Sequence, residues 1–128
     1  MPLGIPVRAA AAGSTAREQV SGWEARARRE RPGFTGFSAS EGKKLYLSEH
    51  VQDGQKVSCA TCHTASPRAP GRSPAGKLVD PLSPAVNPAR FSDPAETEKW
   101  FKRNCKQVLG RECTAEEKGN FTTYVLGA

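Results

Sequence analysis

Cys59-Ala60-Thr61-Cys62-His63 places two thiols three residues apart, with an imidazole directly after the second. C-x-x-C-H is the attachment pattern of a c-type haem. Thiols at this spacing reach the two vinyl groups of one porphyrin and form thioethers. The next side chain then presents an imidazole nitrogen to the iron, which makes His63 the candidate proximal ligand. Two other chemistries compete for these residues. A thioredoxin-type C-x-x-C wants a βαβ context, and the chain shows none. A zinc site would take Cys59, Cys62, His63 and one further ligand.

Haem accounts for more of the chain than either alternative. Of 128 residues only 37% are hydrophobic and 7% aromatic, while Gly and Pro number 12 and 10. A chain this size buries about two-thirds of its unfolded surface, and one this polar needs a disulfide, a metal or a large cofactor. A porphyrin is itself a large apolar body, and burying it adds stabilisation that the chain lacks. The length excludes a two-domain enzyme, and the composition excludes a collagen-like or disordered chain. No run of 18 apolar residues exists, so no membrane span is expected.

The net charge of +6 reflects 19 Lys and Arg against 13 Asp and Glu. Arg8, Arg17, Arg26, Arg28, Arg29 and Arg31 crowd the start of the chain. A basic balance favours anionic partners. Nucleic-acid binding would want one basic face with aromatics placed for stacking; neither is visible, and no nucleic-acid partner is expected.

The elements that must position the pentapeptide can be read coarsely. Residues 1–13 read as a flexible leader or tag remnant, because Pro2, Pro6 and Arg8 interrupt any apolar run. Residues 14–128 read as one domain. Thr15 to Glu30 predicts a helix capped by Ser14 or Thr15, with Val20, Trp23 and Ala27 on one side. Ser40 followed by Glu41 to His50 predicts a second, and Asp53-Gly54 a turn. Pro67, Pro70, Pro74, Pro81, Pro84 and Pro88 then exclude helix and central strand. So long a loop inside a compact domain needs a reason, and coating a bulky cofactor supplies one. Asp93 as N-cap, with Pro94 at the first helical position, opens a third helix that ends at Gly110. Thr114 to Glu117 is a capping box opening a terminal helix with Phe121, Tyr124 and Val125 on its apolar face. No strand-like alternation stands out. The fold expected is all-α.

Covalent haem attachment belongs to the bacterial periplasm or an equivalent oxidising space. There Cys105 and Cys113 are expected to pair, two free buried thiols being the alternative. Closing a loop of about nine residues contributes about 2.6 kcal/mol in the chain-entropy model.

The sixth position of the iron decides the function. Electron carriers close it with Met or a second His. The only methionine is Met1, and the only other histidine is His50, read as a surface residue at a helix end. Asn104 lies four residues after Trp100 and four before Val108, on one helical stripe. A buried amide there needs a partner, or costs on the order of 1–3 kcal/mol. An ordinary half-exposed Asn near a helix end satisfies the same spacing.

The run from Phe91-Ser92-Asp93-Pro94 through Trp100 and Arg103-Asn104-Cys105 to Val108-Leu109-Gly110-Arg111-Glu112-Cys113-Thr114 resembles the C-terminal half of the sphaeroides haem protein (SHP) family. Gly76-Lys77, Pro81-Leu82-Ser83-Pro84 and Arg90-Phe91 continue the match upstream. The similarity spans residues 40–126, and the Arg-rich start matches less well. The resemblance implies a class I cytochrome c-like fold, four or so helices wrapped with Pro-rich loops around one covalent haem c. It implies attachment through Cys59, Cys62 and His63, Asn104 as sixth ligand to ferric iron, and a Cys105–Cys113 disulfide. The related cytochrome c″ type carries His where this chain has Asn104, so the Asn points to the SHP branch. A dihaem c-type cytochrome is the implied electron donor.

An amide is a hard, weakly donating ligand that suits ferric iron better than ferrous. Reduction is therefore expected to release Asn104 and open the iron to O2, NO or CO. Two other readings are a plain electron carrier and a small haem oxidoreductase acting on O2, peroxide or NO. The last needs a distal acid–base group, for which only His50 is available; a non-enzymatic haem protein is the better expectation. Arg68, Arg72, Lys77 and Arg90 are candidates to neutralise the haem propionates, and the sequence does not choose among them.

Overall fold

The computed structural model describes residues 14–128, so the leader expected over residues 1–13 lies outside the described residues. In chain order the elements are α1 (Ser14–Glu30), α2 (Ala39–Leu47), β1 (His50–Gln52), β2 (Gln55–Val57), α3 (Cys59–His63), β3 (Gly71–Arg72), β4 (Leu78–Val79), α4 (Pro94–Leu109) and α5 (Ala115–Gly127). The architecture is mainly helical, as expected, with five helices in place of four or so. The additional one is the single turn that carries the C-x-x-C-H pentapeptide. Among the described residues no helix is long and apolar enough to cross a membrane.

The helix ends follow local chemistry. Asp93 accepts from the Ala95 amide, Pro94 occupies the first turn of α4, and Gly110 closes it at φ 76°. Thr114 and Glu117 form the reciprocal box that opens α5. The second helix departs from expectation. Its cap is Ser38, whose side chain accepts from Glu41 N, and not Ser40. It stops at Leu47 because Ser48 turns extended (ψ 135°) while its hydroxyl donates to Leu45 O at 2.9 Å. His50 therefore begins a strand and does not end a helix.

Two hairpins were not foreseen. β1 and β2 pair antiparallel around Asp53-Gly54, and β3 pairs with β4. Each strand has only two or three residues, too few to show an alternating pattern. The Pro-rich segment is ordered, as expected, and held by its own backbone. Leu82 N and Ser83 N both donate to Pro67 O, at 3.0 and 2.9 Å, and Ser83 and Pro84 are fully buried.

α5 is the central element and packs on α2 and α1. The approach to α2 is so close that a Cβ at Gly42 would overlap the Asn120 backbone. Tyr46, Leu82, Phe91, Phe121 and Val125 form the main apolar cluster, and Trp23, Ala27, Phe34 and Ala115 form a second. Phe101 of α4 packs against both, with its ring 5.4 Å from Trp23 and 5.7 Å from Phe121.

One polar junction ties three helices together. Glu98 on α4 accepts from Trp23 Nε1 of α1 at 2.8 Å and from Lys118 Nζ of α5 at 2.7 Å. Trp23 and Lys118 are both buried, so each needs this carboxylate. Burial works to raise the Glu98 carboxyl, but hydrogen bonds from Lys118 and Trp23, with the charges of Lys118 and Arg26, hold it below its ordinary value. A carboxyl depressed in the folded state stabilises fully above its unfolded value and loses that contribution as pH falls through the folded one. Glu98→Gln should therefore flatten the loss of stability on acidification below pH 4.5, the ordinary carboxyl value. Denaturant melts at stepped pH check this, and acid limbs that stay parallel would count against the junction.

Gly71 of β3 lies against α3, where a Cβ would overlap the Cys62 carbonyl. Gly22 on α1 has nothing within 4 Å. Gly71→Ala should cost about 1–3 kcal/mol by forcing backbone from backbone, whereas Gly22→Ala should gain about 0.5–1 kcal/mol in helix propensity. Thermal melts of the two variants should move in opposite directions.

Candidate functional site

The pentapeptide forms α3, a helix of five residues capped by Ser58. Ser58 Oγ accepts from Thr61 N at 3.2 Å, and Thr61 Oγ1 accepts from Ser58 N at 2.9 Å. A helix this short has no stability of its own, so its neighbours must hold it. Cys59 and Ala60 pack against the main apolar cluster, and the β3 backbone closes over Cys62 and His63.

Thr64, immediately after His63, leaves the helix at φ 64° and ψ 178°, a region costly for any residue but glycine. Its carbonyl accepts a hydrogen bond from the buried Tyr46 hydroxyl of α2. Burial first, then the neighbouring Cys59 and Tyr124, raise the Tyr46 phenol, so it stays a donor. Thus α2, the apolar cluster and β3 fix α3 from separate sides.

The two thiols are unbridged. Burial raises Cys59 to about 11, outweighing its own backbone hydrogen bond, and burial also raises Cys62. Redox-active thiols have the opposite shift. The thioredoxin alternative also lacks its βαβ unit. Among the described residues no group of three His, Cys, Asp or Glu side chains could hold a metal ion, which leaves the zinc alternative without a ligand set.

Burial, then the charge of Arg90, lowers His63 to about 4. Its ring is neutral, as an imidazole ligand must be. His63 Nδ1 is buried without a hydrogen-bond partner, a state that few native polar groups tolerate. The donor set suits a covalently attached haem. It offers two protonated thiols one helical turn apart, a neutral imidazole that no protein group satisfies, and an apolar wall of Tyr46, Leu82, Phe91 and Phe121.

Asn104 is half-buried on α4, in one stripe with Trp100 and the buried Val108. The next residue, Cys105, is joined to Cys113 in a disulfide with Cα atoms 5.6 Å apart. From β1, Gln52 Nε2 donates to Val108 O at 3.2 Å. α3 and α4 meet through the shared cluster, which Cys59, Ala60 and Phe101 all border, more than through direct contact. His50 Nε2 lies 3.0 Å from Ser48 Oγ.

Tyr46, Gly71, Ser58 and Thr61 also shape this site. Tyr46 was read only as apolar content, and nothing local marks Gly71. The Ser58-x-x-Thr61 pattern was legible as a cap.

A family model described as a domain of unknown function (DUF1924) matches residues 32–125. The cytochrome c-type protein SHP of Cereibacter sphaeroides is 39% identical over 120 residues, covering 91% of this chain and 87% of that protein. The structure of oxidised SHP, described as an oxygen-binding cytochrome c, superposes with a TM-score of 0.79 at 35% identity, over 90% of this chain and 97% of that one. The solution structure of Methylophilus methylotrophus cytochrome c″, described in terms of haem-ligand detachment, gives a TM-score of 0.82 at 31% identity, over 91% of this chain and 95% of that one. By the extent of these matches, the chain belongs to the family of SHP and cytochrome c″, monohaem c-type cytochromes.

Proposed function

We propose that this chain is a periplasmic cytochrome that transfers electrons and binds diatomic gases at a position Asn104 yields on reduction. Cys59 and Cys62 would hold the haem through thioethers, with His63 and, in the ferric state, Asn104 as its protein ligands. When bound, the haem supplies an iron that cycles by one electron and takes O2, NO or CO.

The observation that carries this reading is the position of Asn104. It is a half-buried amide on the helix that borders the same apolar cluster as Cys59 and Ala60. The stronger donor His50 is engaged by Ser48. A hard amide oxygen suits ferric iron better than ferrous, so Asn104 would hold the oxidised haem more firmly than the reduced one. Its freed side chain keeps an N–H donor and a carbonyl acceptor for an incoming ligand. The Cys105–Cys113 bridge limits how far the backbone of Asn104 travels. Oxygen binding by SHP and ligand detachment in cytochrome c″ are the behaviours of relatives that this reading extends to the chain.

The disulfide supports the periplasm as compartment, since such bonds persist in oxidising spaces. Lys99, Lys102, Arg103 and Lys106 are exposed on α4. They suit the acidic docking face of a dihaem c-type electron donor.

Absorption spectra of ferric and dithionite-reduced protein, with and without CO, test the reading. The reduced protein should take up CO rapidly. Asn104→Ala should bind azide in the ferric state about tenfold more tightly, because ~1.4 kcal/mol of competition by the amide is gone. A ferrous protein that refuses CO, or a variant whose ferric spectrum and azide affinity match the parent, would overturn it.

A further inference from the structure

The four basic side chains that compete for the haem carboxylates are separated by the structure. Arg68 is exposed and donates to Ala128 O, Arg72 is exposed and donates to Gly76 O, and Lys77 is exposed. Each is exposed to solvent, so its charge does not require a protein partner. Arg90 is different.

Its guanidinium is half-buried, with Nε donating to Pro81 O at 3.2 Å and Nη2 to Asp80 O at 2.9 Å. Two of the five N–H donors are thus taken by neutral carbonyls. Among the described residues no carboxylate lies within ion-pair distance of it. The Asp80 charge is near enough to favour the cation, yet burial prevails and lowers it. A cation drawn out of water costs several kcal/mol unless an anion meets it. Among the described residues no carboxylate meets it directly, and Asp80 acts on it only from a distance.

The surroundings place this charge beside the attachment helix. Phe91, the next residue, is buried in the cluster against which Cys59 and Ala60 pack, and Leu82, which follows Pro81, is in it too. Phe91 is held at φ 62°, and Thr64 after His63 at φ 64°. Such backbone costs on the order of 1–3 kcal/mol per residue and persists where packing over-determines it, commonly at ligand clamps. Outside the hairpin turn at Asp53, these are the only non-glycine residues at positive φ among the described residues. One follows the imidazole and the other follows the cation.

We propose that Arg90 is the propionate clamp, the cation that pairs with a carboxylate of the attached haem while Asp80 O and Pro81 O hold its guanidinium in place. This rests on haem attachment at Cys59, Cys62 and His63, and not on the role of Asn104. With Arg90 present, the carboxylate is neutralised and the iron feels less negative charge. Without it, the bare carboxylate stabilises ferric over ferrous iron.

The test is an optical redox titration of the holoprotein in three forms: parent, Arg90→Gln and Arg90→Lys. Arg90→Gln should change the ferric-to-ferrous ratio at fixed applied potential about tenfold toward ferric, a fall of about 59 mV for one electron. Arg90→Lys keeps the charge and should stay near the parent. Where Gln yields no holoprotein, Arg90→Met removes the same charge with an apolar side chain of similar length. Potentials unchanged in the neutral variants would overturn the proposal. So would equal falls in Lys and neutral variants accompanied by equal losses of melting temperature, which would reduce Arg90 to a clip on the Asp80–Pro81 backbone. CO uptake by the parent, measured alongside, reports on Asn104 independently. A protein that refuses CO yet shows the fall in Arg90→Gln separates the two ideas.

Discussion

A five-residue helix forms at most one or two intrahelical hydrogen bonds, far short of its nucleation cost, so α3 exists only because its neighbours impose it. The Ser58–Thr61 box fixes its start, Gly71 lies against Cys62 and His63, and Tyr46 bonds the carbonyl just beyond His63. These restraints come from different parts of the chain. They meet on the one segment whose thiols and imidazole must keep a fixed mutual geometry. The strained Thr64 sits at this convergence, where its carbonyl meets the Tyr46 hydroxyl just beyond His63. Burial of Cys59 against the main cluster then makes the site continuous with the core.

α4 is restrained in another manner. Apart from Phe101, which packs against both apolar clusters, its contacts with other helices are sparse. It is held at points instead: by Glu98 to Trp23 and Lys118, by Cys105 to Cys113, and by Gln52 to the Val108 carbonyl. Point restraints fix where a helix lies while leaving its side chains free to change partners. Converging packing around α3 and tethers along α4 are the arrangement that the proposed reading requires, a firm hold at His63 and a looser one at Asn104. Under the proposed reading, the tether at Cys105 would confine any change to the Asn104 side chain.

Much of this could be read from residue types and spacing, and the failures have physical causes. Both ends of α4 and the start of α5 were legible because caps are local: Asp93-Pro94, Gly110 and the Thr114–Glu117 box each act within one turn. C-x-x-C-H was legible for the same reason, its chemistry being contained in five residues. α2 was misplaced by its cap because Ser38, Ser40 and Ser48 all have hydroxyls, and only tertiary packing of Gly42 on α5 selects the register. Hairpins of two or three residues carry no periodicity to detect. Tyr46 bonds Thr64, 18 residues away, Gly71 lies against Cys62, 9 residues away, and Arg90 bonds Asp80, 10 residues away, and no spacing rule reports such pairs.

The Pro-rich segment resolves an apparent contradiction between order and irregularity. Proline reduces the conformational freedom of the unfolded chain, so fixing residues 64–93 without a helix or long strand costs less entropy than for an ordinary loop. The same irregularity exposes backbone carbonyls that a helix or sheet would consume. Pro67 O takes two amides, Pro81 O takes Asn87 and Arg90, and Asp80 O takes Arg90 again. A regular element over α3 could present apolar side chains, but it could not also lend carbonyls to orient a half-buried guanidinium. A flat apolar group with charged edges needs both kinds of wall. An irregular segment stiffened by its own prolines provides them within one stretch of chain.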